Sequence, residues 1–217
     1  MKYTPPPDQG LELLYQDAHL LVLNKPAGLL SVPGRGEDKQ DSLISRVQRE
    51  FEDALIVHRL DMATSGLLVL ARDAQTHRAL SIQFQQRQVS KEYVAMVYGL
   101  PPENSGLIDL PLITDWPNRP KQIVDFVNGK ASQTIYRILD TDLIQKRSRL
   151  ALMPITGRTH QLRVHCQFLG YPIVGDRLYA RVEQVEAEER LLLHAQGLGF
   201  THPHSEEALS FTLPAEF

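Results

Sequence analysis

The sequence predicts an α+β fold, built on a mixed and largely antiparallel sheet with flanking helices. Short runs of apolar and β-branched residues, bounded by Gly and Pro, recur along the 217-residue chain and indicate strands. Fewer stretches show the longer spacing of amphipathic helices. The two kinds of element do not alternate strictly, as they would in a parallel sheet of βαβ units.

The predicted strands share apolar, β-branched or aromatic residues and end at turn-forming residues. The run "GLLVLA" is apolar throughout, which is typical of a strand buried on both faces. The segment 100–122 is rich in Pro and Gly and is predicted to be irregular. The predicted strands are 19–25, 66–71, 91–99, 131–139 and 149–154, followed by three late strands in 190–195, 198–202 and 208–213.

Three stretches predict helices, each preceded by a residue type that caps helix N-termini. They span 41–51, 73–87 and 159–169, and their expected caps are Asp41 or Ser42, Asp73 and Thr159, respectively. Gly170 is expected to end the third helix. Its apolar stripe is formed by Leu162, Cys166 and Leu169, while His160, Arg163 and Gln167 share another side.

The composition, 42% hydrophobic and 23% charged, is typical of a globular protein with a substantial core. The single cysteine, Cys166, excludes an intrachain disulfide and fits a reducing cytosol. No run of apolar residues approaches the length of a membrane span, and the N-terminus lacks the apolar stretch of a signal peptide. We therefore expect a cytoplasmic protein without membrane contact, with a flexible tail over residues 1–15 and one domain over 16–217.

The net charge of −3 argues mildly against a general nucleic-acid coat, which would be strongly basic. Charge is nevertheless unevenly distributed along the chain. Residues 182–190 hold four glutamates and one arginine, whereas 157–165 hold two arginines, two histidines and no acidic residue. Basic residues also concentrate at 118–121 and 145–149. These stretches could present a positive face to RNA or be ordinary solvated charge.

Motifs for several kinds of chemistry are absent. The sequence has no phosphate-binding Walker loop, no dinucleotide-binding glycine pattern and no nucleophile elbow around a serine. His160 and His165 are five residues apart and therefore do not face the same side of a helix as a metal-binding pair would. With one cysteine and no zinc-protease motif, we expect neither a metal nor a cofactor.

The segment "HRLDMATSG" (58–66) carries the strongest functional signal. It places Asp61 among cationic residues just before a buried strand. A local ion pair between Asp61 and Arg59 would explain these residues, and so would a nucleophilic carboxylate at the mouth of the strand. In the second case a nearby arginine must keep the carboxylate charged, and Arg163 is a candidate.

This segment resembles the nucleophile motif of the RluA family of pseudouridine synthases. Further resemblance comes from "LLVLNKPAGLLSVPG", "KEYVAMVYG", "PITGRTHQLRVHCQFLGYPIVGDRLY" and "RLLLHAQGLGFTHP", which follow in the order typical of the family and cover most of the chain. The resemblance implies a pseudouridine synthase catalytic fold with a central cleft. It also implies a monomer without an added S4-type RNA-binding domain, for which the chain before residue 20 leaves no room.

The resemblance also implies roles for individual residues. Asp61 corresponds to the nucleophile, Arg163 to the arginine that pairs with it, and Tyr93 to the active-site tyrosine. Arg59 corresponds to a residue that fills the space of a flipped-out uridine. The reaction detaches uracil from the ribose C1′ and rejoins it through C5, so it requires no redox cofactor. Whether the aspartate attacks C1′ or C6, or starts a glycal route, stays open.

The RNA partners follow from the same resemblance. The stretch "DLPLITDWPNRPKQ" is similar to family members that act on both ribosomal RNA and transfer RNA. We therefore expect the substrates to be the anticodon stem-loop of tRNA and a stem-loop of 23S rRNA, or one of the two. Arg119, Lys121 and Arg158 are candidate contacts to the RNA backbone. Two other functions explain part of the pattern, an inactive RNA-binding module of the same fold and a glycosidase-like hydrolase, although the latter lacks an evident second carboxylate.

Overall fold

The computed structural model describes residues 3–181 and 188–217. The acidic stretch noted in the sequence, 182–190, therefore lies mostly outside the described residues. Within the described ranges the helices are α1 (Leu43–Val47), α2 (Ala74–Gln85) and α3 (Gln161–Phe168). The strands are β1 (Glu12–Gln16), β2 (Leu20–Lys25), β3 (Leu55–Ile56), β4 (Ser65–Ala71), β5 (Ser90–Tyr98), β6 (Ser105–Asp109), β7 (Leu112–Thr114), β8 (Gln122–Val124), β9 (Gln133–Asp142), β10 (Arg147–Pro154), β11 (Leu193–Thr201) and β12 (Ala208–Thr212).

The chain divides into two compact units, and the single domain predicted over 16–217 stays a prediction. The first comprises the described residues of Met1–Lys91 with Ala195–Ala215, and the second those of Glu92–His194 with Glu216–Phe217. The chain passes from one unit to the other inside β5 and again inside β11. Because no linker marks either passage, composition gives no sign of the division.

In the first unit, β1, β2, β4 and β11 are neighbours in that order, with β3 beside β4 and β12 beside β11. The β2–β4 pair is antiparallel and aligns Leu20 with Ala71 and Lys25 with Gly66. Alternate residues of these strands pack against α2, and the others are buried on the opposite face. Burial on both faces explains why "GLLVLA" is apolar at every position.

In the second unit, β5, β10, β9 and β6 form consecutive antiparallel pairs, and β7 and β8 form a separate hairpin. The predicted α+β class with a mixed, mostly antiparallel sheet is confirmed, and the predicted central cleft stays a prediction. None of the helices within residues 3–181 and 188–217 is long and apolar enough to span a bilayer.

The N-terminal segment, predicted to be a flexible tail over residues 1–15, has contacts with the first unit from residue 3 onward. Tyr3 is buried and donates its hydroxyl to the Asp41 carbonyl at 3.0 Å. Arg46 donates to the carbonyl of Pro6 at 2.7 Å, and β1 already begins at Glu12. The prolines thus fix an extended segment that supplies carbonyl acceptors to a buried arginine.

Helix boundaries also differ in part from the sequence prediction. Ser42 caps α1, which ends at Val47 rather than at Phe51. Asp73 caps α2 as predicted, accepting from the Thr76 backbone N–H at 2.8 Å.

The third helix begins differently from the prediction. The cap position of α3 is His160, with φ 53°, so Thr159 does not cap it. The side chain of Gln161 accepts from the Arg158 N–H and from the Thr156 hydroxyl, which holds the preceding loop and leads the chain into α3 through a left-handed residue. Leu169, expected in the buried stripe, is 42% exposed.

Two predictions about strands were wrong. The segments 190–195 and 198–202 belong largely to one strand, β11, which contains Gly197 and Gly199. Gly199 lies against the Ser90 side chain, where a Cβ atom would collide, so the glycine marks a close approach rather than a turn. The segment 100–122, expected to be irregular, contains β6, β7 and the start of β8.

Candidate active site

The loop that carries Asp61 is fixed to its surroundings on both sides of that residue. Before it, Ser31 Oγ donates to the Leu60 carbonyl at 2.8 Å and accepts from the Leu60 N–H at 3.1 Å. After it, the Met62 carbonyl accepts from the Gly28 N–H at 2.8 Å. The backbone is therefore held at both neighbours of Asp61, which limits the directions that its side chain can take.

The side chain of Lys25 forms a third set of hydrogen bonds that holds the loop. Its side chain is fully buried, and its ammonium donates to the carbonyls of Pro26, Leu29 and Met62 at 2.8, 2.7 and 3.1 Å. A buried ammonium is stable only when its donors are satisfied, and three carbonyls meet that need. Lys25 thus ties the turn after β2 to the residue that follows Asp61.

The residues between Asp61 and β4 form a turn in which the Thr64 N–H donates to the Asp61 carbonyl at 3.1 Å. The turn leads directly into Gly66, whose φ is 116°. A Cβ atom at Gly66 would collide with the backbone of Ala195 on β11. Glycine is therefore required for β4 to lie against β11 immediately after the loop.

His58 holds the start of the loop as an uncharged group. Its Nε2 accepts from the Val69 N–H at 3.1 Å, and its ring stacks on Phe84 at 4.4 Å between centroids. Burial lowers the pKa of His58 to about 3, and the charge of Lys91 adds a smaller effect in the same direction. The ring is therefore neutral at physiological pH and serves as a structural acceptor.

In the second unit, Arg163 is buried on α3 and binds a carboxylate that the sequence analysis did not name. Its Nε and Nη2 donate to the two carboxylate oxygens of Asp176 at 2.8 and 2.7 Å. The Asp176 side chain is fully buried, and its Oδ1 also accepts from the Leu178 N–H at 3.0 Å. This bidentate pair fixes the plane and direction of the guanidinium.

Tyr179 connects this arginine to other candidate residues of the second unit. Its ring lies 5.1 Å from the Arg163 guanidinium carbon. Its hydroxyl accepts from the Gln122 N–H at 2.8 Å and lies 2.7 Å from His160 Nδ1. The start of α3 and the β7–β8 hairpin are thus joined through one phenol group.

The hairpin that Tyr179 holds carries two of the predicted RNA-contact residues. Arg119 is exposed, and its guanidinium lies over the exposed ring of Trp116 at 4.7 Å. Lys121 closes the same turn, where its N–H donates to the Asn118 carbonyl at 3.1 Å. The structure therefore brings Arg119 and Lys121 together.

The remaining predicted residues lie on separate elements. Arg158, exposed in the loop before α3, donates to the Ala131 carbonyl at 3.3 Å. Tyr93 is partly buried on β5, where it pairs with Leu152 of β10. Arg59 is exposed on the same loop as Asp61.

A family model described as RNA pseudouridylate synthase matches residues 19–168. The chain belongs to this synthase family. The matched range includes the Asp61 loop as well as Tyr93 and Arg163, so the family resemblance predicted from the sequence is confirmed.

Curated members of the synthase family match nearly the whole chain. The protein named dual-specificity RNA pseudouridine synthase RluA of Escherichia coli (strain K12) is 51% identical over 215 residues, covering 99% of this chain and 98% of the relative. The protein of the same name from Vibrio parahaemolyticus is 49% identical over 220 residues, covering 100% of this chain and 88% of the relative.

Solved structures of the synthase family share the fold. Human RNA pseudouridylate synthase domain containing 1 aligns with a TM-score of 0.82 and 29% identity, covering 99% of this chain and 87% of that structure. Human RNA pseudouridylate synthase domain containing 4 aligns with a TM-score of 0.74 and 26% identity, covering 94% and 88%, respectively.

Sequence reasoning missed four residues that support the site, namely Lys25, Ser31, Asp176 and Tyr179. Lys25 lies next to Pro26 in a predicted turn, where a lysine is usually solvated, and Ser31 has no distinguishing neighbour. Asp176 and Tyr179 lie in "GDRLY" (175–179), shortly after Arg163 in the chain. An acidic residue close to an arginine that is expected to be buried could have indicated an ion pair.

Proposed function

We propose that this protein isomerises uridine to pseudouridine in structured RNA, with Asp61 as the nucleophile. The observation that carries the proposal is the Asp61 loop, in which both neighbouring residues are fixed by hydrogen bonds to Ser31, Gly28 and Lys25. A reactive carboxylate needs such a fixed direction, whereas a solvated surface carboxylate does not. Membership of the synthase family supports the reaction class.

The reaction breaks the bond between N1 of uracil and C1′ of ribose and forms a bond between C5 and C1′. The proton on C5 is lost and N1 gains one, so the formula of the nucleotide is unchanged. A carboxylate can form a covalent bond to the substrate and leave again, which divides one difficult exchange into two easier steps. Asp61 takes this role in the proposal.

Arg163 acts on Asp61 as its positioning partner in the proposal. The pair with Asp176 uses Nε and Nη2, one edge of the guanidinium. The proposal takes the pairing of Arg163 with Asp61 from the family resemblance. Because Asp176 fixes the plane of the guanidinium, Asp176 becomes an indirect determinant of the orientation of Asp61 in the proposal.

Tyr93 provides an aromatic face for the uracil ring in the proposal. Stacking of a base on an aromatic side chain contributes about 1–3 kcal/mol, enough to help hold the base while it turns. Partial exposure on β5 supports this role, since a fully buried ring could not contact a base.

Arg119, Lys121 and Arg158 bind the RNA backbone in the proposal. Arg119 and Lys121 share one turn with the exposed Trp116, a combination of cations and an aromatic face that suits single-stranded and looped RNA. Because the net charge of the chain is −3, such local clusters must supply the attraction to phosphate.

The proposed substrates are the anticodon stem-loop of tRNA and a stem-loop of 23S rRNA. The name of the Escherichia coli and Vibrio relatives, dual-specificity RNA pseudouridine synthase, supports action on more than one RNA. The proposal also includes a monomer acting in the cytoplasm.

Replacement of Asp61 by Asn tests the proposal directly. Pseudouridine formation should fall below detection on both stem-loops, while stem-loop affinity stays within several-fold of the original protein, because only the nucleophile is lost. Tritium release from uridine labelled at C5 measures turnover, and filter binding measures affinity. Asp38→Asn, on an exposed 3₁₀ turn of the same unit, is the matched control and should leave both quantities unchanged. Near-normal turnover by Asp61→Asn would refute the assignment.

Arg59 provides a second test, because its proposed role concerns unstacking of the target base. Extruding a base costs a few kcal/mol, and less when the base is already unpaired. Arg59→Ala should therefore slow single turnover strongly on a structured stem-loop and weakly on an RNA whose target uridine is unstacked. Equal loss on both RNAs, with a shallower salt dependence of binding, would instead indicate a phosphate contact.

A further inference from the structure

A group of titratable side chains lies at the opposite end of the β2–β4 pair from Asp61. His19 precedes β2, and Asp73 follows β4, whereas Lys25 and Gly66 mark the other end. Six residues of extended strand separate the two ends, which corresponds to about 20 Å. His204, which follows β11, completes the group. The group is therefore separate from the Asp61 loop.

The ligand atoms of the three side chains converge. His19 Nδ1 lies 3.3 Å and His204 Nε2 lies 3.9 Å from the same oxygen, Oδ2 of Asp73, and all three atoms lie within 4.8 Å of one another. The two imidazole rings stack at 3.6 Å between centroids with 16° between their planes.

We propose that His19, Asp73 and His204 form a binding site for a divalent transition metal ion, with Zn²⁺ as the representative ion. Zinc prefers imidazole nitrogen and carboxylate oxygen at about 2.0–2.1 Å, which in tetrahedral geometry places ligand atoms about 3.3 Å apart. The separations of 3.3 and 3.9 Å are near this value, but the two stacked rings must rotate out of their nearly parallel planes so that both nitrogen lone pairs point at one ion. Partial exposure of all three side chains gives an ion access and leaves a position for water.

Each ligand is held by neighbouring groups, as in established metal sites. Asp73 caps α2, and its Oδ2 accepts from the Thr76 hydroxyl at 2.7 Å. The Thr76 backbone N–H also donates to Asp73 Oδ1 at 2.8 Å, so two hydrogen bonds from one residue hold the carboxylate. The Thr76 hydroxyl also lies 3.1 Å from His204 Nε2. An ion bound to His204 Nε2 would replace this contact, because that nitrogen has a single lone pair, whereas the hydrogen bond from Thr76 to Asp73 could stay.

A second histidine fixes the backbone of His204. His202 Nε2 lies 2.9 Å from Asp17 Oδ2, and its Nδ1 accepts from the N–H groups of His204 and Ser205 at 3.2 and 3.0 Å. The Asp17 carboxylate in turn accepts from the His19 N–H at 2.7 Å. The segments that carry the two ligand histidines are thus connected independently of any metal.

No local motif could have indicated this site. His19, Asp73 and His204 lie far apart in the chain, and only the packing of β2, α2 and the turn after β11 brings them together. An ion bound there would link these three parts of the first unit. Because it binds the folded chain, it would raise the melting temperature of the protein.

The test uses the full chain without a polyhistidine tag, freed of metal by a chelator. Isothermal titration with zinc chloride should show saturable binding of one ion per chain, and differential scanning calorimetry should show a higher melting temperature with zinc. Cobalt(II) in place of zinc should give the visible absorption of a tetrahedral site. Added chelator should reverse both changes.

His204→Gln is the decisive variant, because His204 lies in a turn and its loss leaves the strands intact. Zinc affinity should fall by more than about tenfold, since even partners of ligands change metal affinity by about 10–100-fold. Asp73→Asn keeps a residue that caps helices well and should weaken binding similarly. His77→Gln is the matched control, since His77 lies on α2 and contacts the Ile56 carbonyl instead. Absence of saturable binding, or equal affinity of His204→Gln and His77→Gln, would overturn the proposal.

Discussion

The Asp61 loop and the Arg163 region hold their central residues by different means. Asp61 is positioned through its backbone, by hydrogen bonds from Ser31, Gly28 and Lys25 to the residues on either side. Arg163 is positioned through its side chain, by a bidentate pair with the buried Asp176. The first arrangement limits the direction of the Asp61 side chain through the backbone on either side of it. The second fixes a buried cation, which requires a partner of opposite charge.

Removing the charge of Asp176 should have the largest effect, on both the free energy of unfolding and the single-turnover rate. Asp176→Asn removes the charge that pairs with Nε and Nη2 of the buried guanidinium and should lower the free energy of unfolding by about 3–5 kcal/mol. If Arg163 directs Asp61 as proposed, the variant should also lower the single-turnover rate by about 10²-fold, because the arginine would be displaced. Urea denaturation and single-turnover assays measure the two effects.

Arg49→Gln is the control for that variant, since the Arg49–Asp8 pair is exposed and should contribute less than about 1 kcal/mol. Arg163→Lys keeps the positive charge without the fork and should reproduce most of the rate defect. A normal rate in both Asp176→Asn and Arg163→Lys would show that the pair only stabilises the fold.

Removing one backbone anchor of the Asp61 loop should have an intermediate effect. Ser31→Ala leaves the N–H and carbonyl of Leu60 without this partner and should cost about 1–3 kcal/mol of stability. The rate should fall as well, by about tenfold for each 1.4 kcal/mol of lost orientation. Ser148→Ala removes a comparable bond from a buried serine on β10, to the Gly99 carbonyl, and should lower stability without changing the rate. Equal rates in the two variants would contradict backbone positioning of Asp61.

The smallest effect is expected from His58, and it concerns the way in which the free energy of unfolding changes with pH. Its pKa is about 3 in the folded chain and near 6.5 when unfolded, so the unfolded state binds more protons between these values. The contribution of neutral His58 is thus present above pH 6.5 and is lost as pH falls toward 3. Between pH 7 and 5 the loss should be about 2 kcal/mol.

His58→Gln should flatten that decline, because glutamine can accept from the Val69 N–H without titrating. Urea denaturation at pH 7 and pH 5 measures this decline in the free energy of unfolding. His77→Gln, on helix α2, is the control, because the His77 ring contacts the Ile56 carbonyl rather than a backbone N–H. An unchanged pH slope in His58→Gln would mean that His58 is not the group that titrates.

Features set by local sequence were predictable. The apolar run that forms β4 and the Asp73 cap of α2 depend on residues within one turn or strand, so pattern and position sufficed. The resemblance around Asp61 identified the family. The Thr159 cap was wrong because Gln161 holds the preceding loop through contacts to Thr156 and Arg158.

Features set by distant contacts were not predictable. Gly199 lies within β11 because the strand passes close to the Ser90 side chain, and the fixing of Arg163 depends on Asp176 folding back onto α3. The contacts of the N-terminal segment likewise involve a distant residue, since the Pro6 carbonyl accepts a hydrogen bond from Arg46. None of these partners follows from spacing along the chain.

Gly66 and Asp61 show how one short segment can restrict two of its positions for unrelated reasons, one steric and one chemical. Any residue other than glycine would place a Cβ atom against the Ala195 backbone. A saturation library at this position, selected for folded protein, should therefore retain glycine alone. Asp61 should be equally intolerant in a screen for activity, yet tolerant in a screen for abundance. Comparing the two screens would therefore separate steric selection from chemical selection within a single nine-residue segment, a distinction that frequency of occurrence among relatives does not make.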